Sequence, residues 1–511
     1  ATPRRTVSGM RPVIRWWTAA FALVELSEAT AWFAPPQSDT VPELPAAATG
    51  RRSLPNMLAG PRLLLQQCRA LRPSVAPDAD GAITADVRRP LLQSSIDQGA
   101  DESAQLVQRG HQTPDNPPRA NGKKKRVLML ISDTGGGHRA SAQALESMIE
   151  DVRPDATDVR VVDVYTEYCP WPFNKFVSGY QVMATHSWMW KYSWYLTSIA
   201  PIMHTAAFIT TLRCKRAFER CIDDNQPDMV VSLHPLTQTI PLGILSRRER
   251  EQNKPHVPVA TVVTDLGSAH PWWFDNRVDL CFIPSDAVKK VAVRRKMSAG
   301  QIRQHGLPVR PSFWEAARPR EQLYNELGLD TSRKTVLIVG GGDGVGSLGK
   351  IVKATAKELS RECPGGTQVV AVCGKNAKLR SKLEEMDWGA CDVQVRGFVK
   401  QMSDYMECAD VMITKAGPGT IAEATIRGVP TMLSSFLPGQ EAGNVPFVTG
   451  NGFGDYAKRP KKIAKTVRTW IQNPDTLDTM AERARACATP DATYDIASDL
   501  LELLDKAEAS R

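Results

Sequence analysis

From Lys123 onward the chain alternates short β-branched runs with stretches of helical period, and this alternation most narrows the folds open to it. RVLMLISDT reads as a strand, and after GGGH the apolar Leu145, Met148, Ile149 and Val152 recur at helical spacing. DVRVVDVY, PDMVVSLHP, PVATVVTD and DLCFIPS continue the first series. A second series follows PVRPSFWEAARPREQ: TVLIVGGGD, QVVAVCG, DVQVRGF, DVMITKAG and VPTMLSS, separated by helices such as GTIAEATIRG. Strands and helices in turn imply mostly parallel sheets covered on both faces, hence an α/β chain with two Rossmann-like domains. Such sheets bind ligands beyond the carboxyl ends of their strands, so two of them face to face enclose a cleft. The expected divisions are residues 1–120 as presequence and linker, 121–315 and 316–485 as the two domains, and 486–511 as a terminal helical segment.

Three strands run into glycine turns: DTGGGH at 133–138, GGGDGVG at 340–346 and AGPGT at 416–420. Glycine lets backbone amides approach a phosphate, and a following helix N-terminus adds partial positive charge. Tight strand-to-helix turns also need glycine for steric reasons. A nicotinamide dinucleotide site wants an acidic residue ending the next strand, where this chain has AVCGKN, and no Walker lysine follows any of the turns. His138 starts a helix at the mouth of the expected cleft, where the helix dipole disfavours the imidazolium and leaves a neutral base; a capping or packing role is the alternative. In KAGPGTIAEA, Glu423 follows Thr420 by about one turn, placing a carboxylate near a ribose diol while the turn amides hold a diphosphate. GQEAGN adds Gln440, Glu441 and Asn444, either partners for sugar hydroxyls or a polar surface loop.

Trp171, Trp188, Trp190 and Trp194 fall within 24 positions, among Lys175, Lys191 and several tyrosines. Rings at headgroup depth and cations toward acidic lipid make this the composition of a membrane-interface anchor, with an aromatic core as the alternative. The formal charge of +9 favours anionic partners, but no nucleic-acid module accompanies it. The apolar stretch 16–24 is about half the length that a spanning helix needs, so membrane contact is expected to be peripheral. The ten cysteines form no C-x-x-C pair and are expected as buried thiols. No metal is inferred: Asp78 and Asp80 make the one Asp-x-Asp and lie in the presumed presequence.

DTGGGHRASA, PWPFN, HPWWF, GLPVRPSF, GGGDGVG, RGFV, KAGPGTIAEATIRGVP and GQEAGNVPFV occur in an order that resembles the plant and algal monogalactosyldiacylglycerol synthases over residues 126–454. More distantly the chain is similar to the bacterial transferase that adds N-acetylglucosamine to a lipid-linked peptidoglycan precursor. The resemblance implies a GT-B glycosyltransferase fold, UDP-galactose held by the second domain and diacylglycerol by the first. It implies His138 as the base, Phe398 and Val399 around the uracil, Glu423 on the ribose, Arg310 with Gly417, Pro418, Gly419 and Thr420 on the diphosphate, and Gln440, Glu441 and Asn444 near the galactose. Gly136, Gly137, Gly341, Gly342, Lys415 and Ile421 complete the donor set. Trp171, Pro172, Trp188, Trp190, Trp194 and Trp273 make the acceptor and membrane group, with anionic lipids as further partners and no cofactor. A transferase using UDP-glucose or a UDP-N-acetylhexosamine on another lipid, and a non-catalytic diacylglycerol-binding protein, are the competing readings.

Residues 1–120 hold thirteen arginines, no lysine and no tyrosine. Their basic start, short apolar stretch and ATAWFAPP resemble the two-part plastid presequence of algae with extra envelope membranes, in which a phenylalanine, here Phe33, follows the cleavage point. A plastid envelope location follows from that resemblance; a tail without targeting meaning is the alternative.

Overall fold

Five of the seven residues of β1 (Lys125–Ile131) are buried, the near-continuous apolar run of a parallel strand covered on both faces. The computed structural model describes residues 124–510 apart from 186 and 341–347, together with all but the side chains of 184, 185, 187 and 200. The presequence, Gly341 and Gly342 therefore lie outside the described residues. β1 pairs with β2 (Thr157–Asp163) and β3 (Met229–Ser232), and β4 (Val259–Val262), β5 (Leu280–Ile283) and β6 (Ile302–Gln304) extend a parallel sheet in the order β2-β1-β3-β4-β5-β6. The second sheet is also parallel and six-stranded: β12-β11-β10-β7-β8-β9, built from β7 (Lys334–Val339), β8 (Thr367–Val372), β9 (Asp392–Arg396), β10 (Val411–Lys415), β11 (Thr431–Ser435) and β12 (Gly454–Tyr456). β6 and β12 go beyond the strands expected from the sequence. Each has three residues and closes an edge, too short a run to display a period of two.

Chain direction across the first sheet reverses at β1, whose neighbours are β2 and β3, and across the second between β7 and β10. Crevices open at such switch points. The His138 turn follows β1, and the 416–420 turn follows β10.

The helices that shape the site are α1 (Gly136–Val152), α2 (Phe176–Thr185), α3 (Ser187–Ser198), α4 (Ala200–Asn225), α5 (Pro418–Arg427) and α6 (Ala492–Ala509). Alternate residues of β1 serve opposite cores, Leu128 and Leu130 on one face, Val127, Met129 and Ile131 on the other. Ile496, Ala497, Leu500, Leu501 and Leu504 of α6 enter this second core beside Leu145 of α1. The last helix of the chain thus crosses back and completes the first sheet's cover. Arg153 pairs with Asp505 at 2.6 Å, and Thr493 Oγ1 accepts from the Val309 amide at 2.9 Å. Seven of the nine described cysteines are buried and all nine are free thiols.

Candidate active site

α1 begins on glycines, and Gly135 at its N-cap offers no side chain to the first-turn amides. Those amides have no side-chain cap, the arrangement that suits an anion, and Gly136 and Gly137 are exposed. His138 turns inward from them and is buried. Its Nδ1 lies 2.9 Å from Thr264 Oγ1 just beyond β4, and its ring stands edge-on to His234 just beyond β3, centroids 4.9 Å apart. The Leu236 amide donates to His234 Nδ1 at 3.3 Å, so the proton sits on Nε2, facing Thr134 Oγ1 at 3.4 Å.

Burial pushes the His138 imidazole down to about 4, against a backbone hydrogen bond at Leu233 that raises it. His234 is lowered by burial and then by His138. The neutral imidazole expected from the helix dipole is present, but desolvation is its main cause, and the ring lies within the fold rather than at an open mouth.

Asp265, beside Thr264, is buried and accepts from Trp273 Nε1 at 2.7 Å and Gln440 Nε2 at 3.4 Å. Burial pushes its carboxyl up to about 7. The Trp273 ring lies 6.1 Å from that of His138. Trp273, expected in the acceptor and membrane group, is fully buried and so does not face a membrane surface; its indole packs beside His138 and Asp265.

On the second sheet, Gly417 caps α5 with Pro418 at its first position, and Gly419 and Thr420 follow at partial exposure. Glu423, one turn on, faces Arg310, whose Nη2 is 3.3 Å from Glu423 Oε1. Burial raises the Glu423 carboxyl to about 7, with Arg310 opposing. Arg310 Nε is buried with no hydrogen-bond partner, and its guanidinium lies over Phe313 at 5.2 Å. Phe398 is exposed and Val399 half-buried, next to one another beyond β9. Ile421 is buried in a core of the second domain, with Leu337 and Met412, and packs α5 onto its sheet.

The 439–444 loop divides in role. Gln440 Oε1 is buried without a partner. Glu441 is instead consumed within the protein: Oε1 takes Lys415 Nζ at 2.6 Å and Oε2 the Leu437 amide at 2.8 Å. Asn444 is buried, accepts from the Gly267 amide at 2.7 Å and donates to the Ala416 carbonyl at 2.8 Å. Both were expected to meet sugar hydroxyls; their polar atoms hold the loop in place. Gly267 and Gly443 approach so closely that a methyl group on either would overlap the other's backbone.

The tryptophan group also divides. Trp171 and Trp188 are exposed, whereas Trp190 and Trp194 face inward, and Pro172 is half-buried. Phe208, Ile209 and Leu212 on α4 extend the exposed apolar surface, a face the sequence reading missed. It also missed His234, Thr264, Asp265 and His270. A signal was available for His234, Thr264 and Asp265, which each follow a strand run, at the end where parallel sheets place ligands; His270 lies farther along the connection. Among the described residues no three His, Cys, Asp or Glu side chains gather as a metal site, and no helix is long and apolar enough to cross a membrane.

Residues 138–309 match the family described as monogalactosyldiacylglycerol (MGDG) synthase, and 335–496 match the glycosyltransferase family 28 C-terminal domain. The chain is 42% identical over 431 residues to "Monogalactosyldiacylglycerol synthase, chloroplastic" of Spinacia oleracea, covering 82% of this chain and 81% of the relative. With "Monogalactosyldiacylglycerol synthase 1, chloroplastic" of Arabidopsis thaliana it shares 41% identity over 388 residues, 75% and 72% of the two chains. The crystal structure of Acinetobacter baumannii MurG overlaps at a TM-score of 0.48 and 17% identity, covering 75% of this chain and 99% of that one. Two parallel six-stranded domains, the second matched by a glycosyltransferase domain, make the architecture GT-B. Because this chain shares 42% and 41% identity with the two plant relatives over most of both chains, and residues 138–309 match the family itself, the chain belongs to the monogalactosyldiacylglycerol synthase family.

Proposed function

We propose that the chain transfers galactose from UDP-galactose to the free hydroxyl of 1,2-diacylglycerol, with inversion at the anomeric carbon. The observation that carries this reading is the run of polar contacts from the neutral His138 through Thr264 and its neighbour Asp265 to Gln440, which ties a base on the first sheet to a loop on the second. The neutral imidazole of His138, held by Thr264, accepts the hydroxyl proton as the alcohol oxygen bonds to the anomeric carbon. The bond from that carbon to the diphosphate breaks, and UDP leaves with the electron pair. General-base assistance of this kind contributes about 100-fold to 10,000-fold. Negative charge developing on the diphosphate meets the amides of Gly419 and Thr420 at the start of α5 and the free Nε of Arg310. Glu423 accepts from the ribose, Phe398 and Val399 flank the uracil, and the unpartnered Oε1 of Gln440 takes a hydroxyl of the galactose.

The acceptor lies in a membrane. Trp188, Tyr192 and Tyr195 on α3 and Phe208 and Leu212 on α4 are exposed and are suited to peripheral insertion among headgroups. The relatives named chloroplastic and the Arg-rich N-terminal segment support a plastid envelope location.

The test is purified chain with UDP-galactose and diacylglycerol in anionic vesicles, the product identified by mass spectrometry and sugar analysis. A galactosyl lipid is expected; turnover of UDP-glucose or a UDP-N-acetylhexosamine in its place overturns the donor assignment. His138→Ala is expected to lower kcat by at least about 100-fold with UDP affinity unchanged in calorimetry.

A further inference from the structure

Trp194 has the composition-based credentials of a membrane anchor and the wrong position for one. Its ring lies against Gly439 at the start of the 439–444 loop: Gly439 has φ +87°, and a methyl group there would overlap the indole. The same ring stands edge-on to His270 at 4.7 Å and leans on Trp190 at 6.0 Å, whose ring meets Tyr180 of α2 at 4.9 Å. His270 Nδ1 accepts from the Trp272 amide at 3.2 Å, leaving Nε2–H for Thr197 Oγ1, also at 3.2 Å, one turn beyond Trp194 on α3. Ser268, two residues before His270, sets its hydroxyl 3.2 Å from the Gly439 carbonyl and 2.9 Å from that of Gln440. Two side chains of the 264–270 segment, Ser268 and Asp265, and one ring from α3 thus hold a loop whose Gln440 keeps a buried acceptor unused.

We propose that Trp194 is a positioning residue for the sugar half of the donor: its indole, wedged on Gly439 and braced by His270, fixes the loop that presents Gln440. The inference rests on the reading that this loop meets galactose. Glycine leaves its backbone a wide choice of conformations, and a rigid aromatic against Gly439 narrows that choice at little entropic cost to itself. Because α3 carries outward rings as well, the helix that meets lipid also holds the sugar loop.

Steady-state kinetics on the full chain, calorimetry with UDP and vesicle flotation together test this. Trp194→Ala is expected to raise KM for UDP-galactose about tenfold, the equivalent of one 1.4 kcal/mol step. Affinity for UDP, which lacks the sugar, and vesicle recovery are expected to stay as in the wild type. Trp194→Phe restores most of the KM. Gly439→Ala is expected to cost less in the Trp194→Ala background than alone, since the overlap is gone. Wild-type KM with diminished vesicle recovery, an equal loss of UDP and UDP-galactose affinity, or an identical Gly439→Ala effect in both backgrounds each overturns the proposal. A wild-type chain that turns over no UDP-galactose overturns instead the functional reading beneath it.

Discussion

His138 and Glu423 are two ionisable groups that burial moves in opposite functional directions. Removing water disfavours the charged form of each, so the imidazole falls from 6.5 to about 4 while the carboxyl climbs from 4.5 to about 7. The imidazole is therefore deprotonated throughout the neutral range, and with His138 as the proposed base the acid limb of kcat at saturating donor is expected near pH 4 rather than 6.5. Glu423 titrates much higher. As pH falls through about 7 it gains a proton and becomes a poorer hydrogen-bond acceptor, so on the proposed ribose role KM for the donor is expected to rise there while kcat holds. Glu423→Gln should abolish that pH dependence of KM; a KM that follows pH equally in both proteins contradicts the ribose assignment. Asn444 and Glu441 show the limit of reading residues by type. GQEAGN offers polar side chains, and only their partners, the Gly267 amide and Lys415 among them, reveal that these two are already engaged.

At the scale of elements, α3 divides its aromatics by helical spacing. Trp188, Tyr192 and Tyr195 fall at i, i+4 and i+7 and are exposed; Trp190, Trp194 and Thr197 repeat that spacing two residues on, with Trp194 and Thr197 meeting His270 and Trp190 packing on Trp194. The two stripes were legible in the sequence, but which one faces outward was not, because both are aromatic. On α4 the exposed Phe208 and Leu212 lie four apart and continue the outward face. Placing both in water-like surroundings by Phe208→Ser with Leu212→Ser removes apolar groups worth about 1.5–3 kcal/mol each when fully buried, so vesicle recovery is expected to fall about tenfold or more. UDP affinity should not change, and unchanged flotation would remove α4 from the membrane face. The short edge strands β6 and β12 escaped the sequence for a different reason: they exist because β5 and β11 offer unpaired ladders beside them.

Across the whole molecule, α6 shows how distant segments share one core. Leu500 is buried against the first sheet although the second domain separates it from β1 in sequence. Leu500→Ala is expected to destabilise the chain by about 2–5 kcal/mol in denaturant melts, through lost contact and the cavity left behind. A loss of a few tenths would mean that α6 is only loosely attached. The architecture itself was readable without coordinates: parallel strands covered on both faces need apolar runs in alternation with helices, and glycine turns before helices are local chemistry carried by neighbouring residues. So were the places of His138 and Glu423 near helix starts, because strand-to-helix turns put them there. Their ionisation, the inward turn of Trp194 and Trp273, and the engagement of Asn444 were settled by contacts such as His138 with Thr264, 126 positions apart, and Asp265 with Gln440, 175 apart. Desolvation and hydrogen-bond pairing depend on what surrounds a group in space, and no local pattern along the chain encodes that.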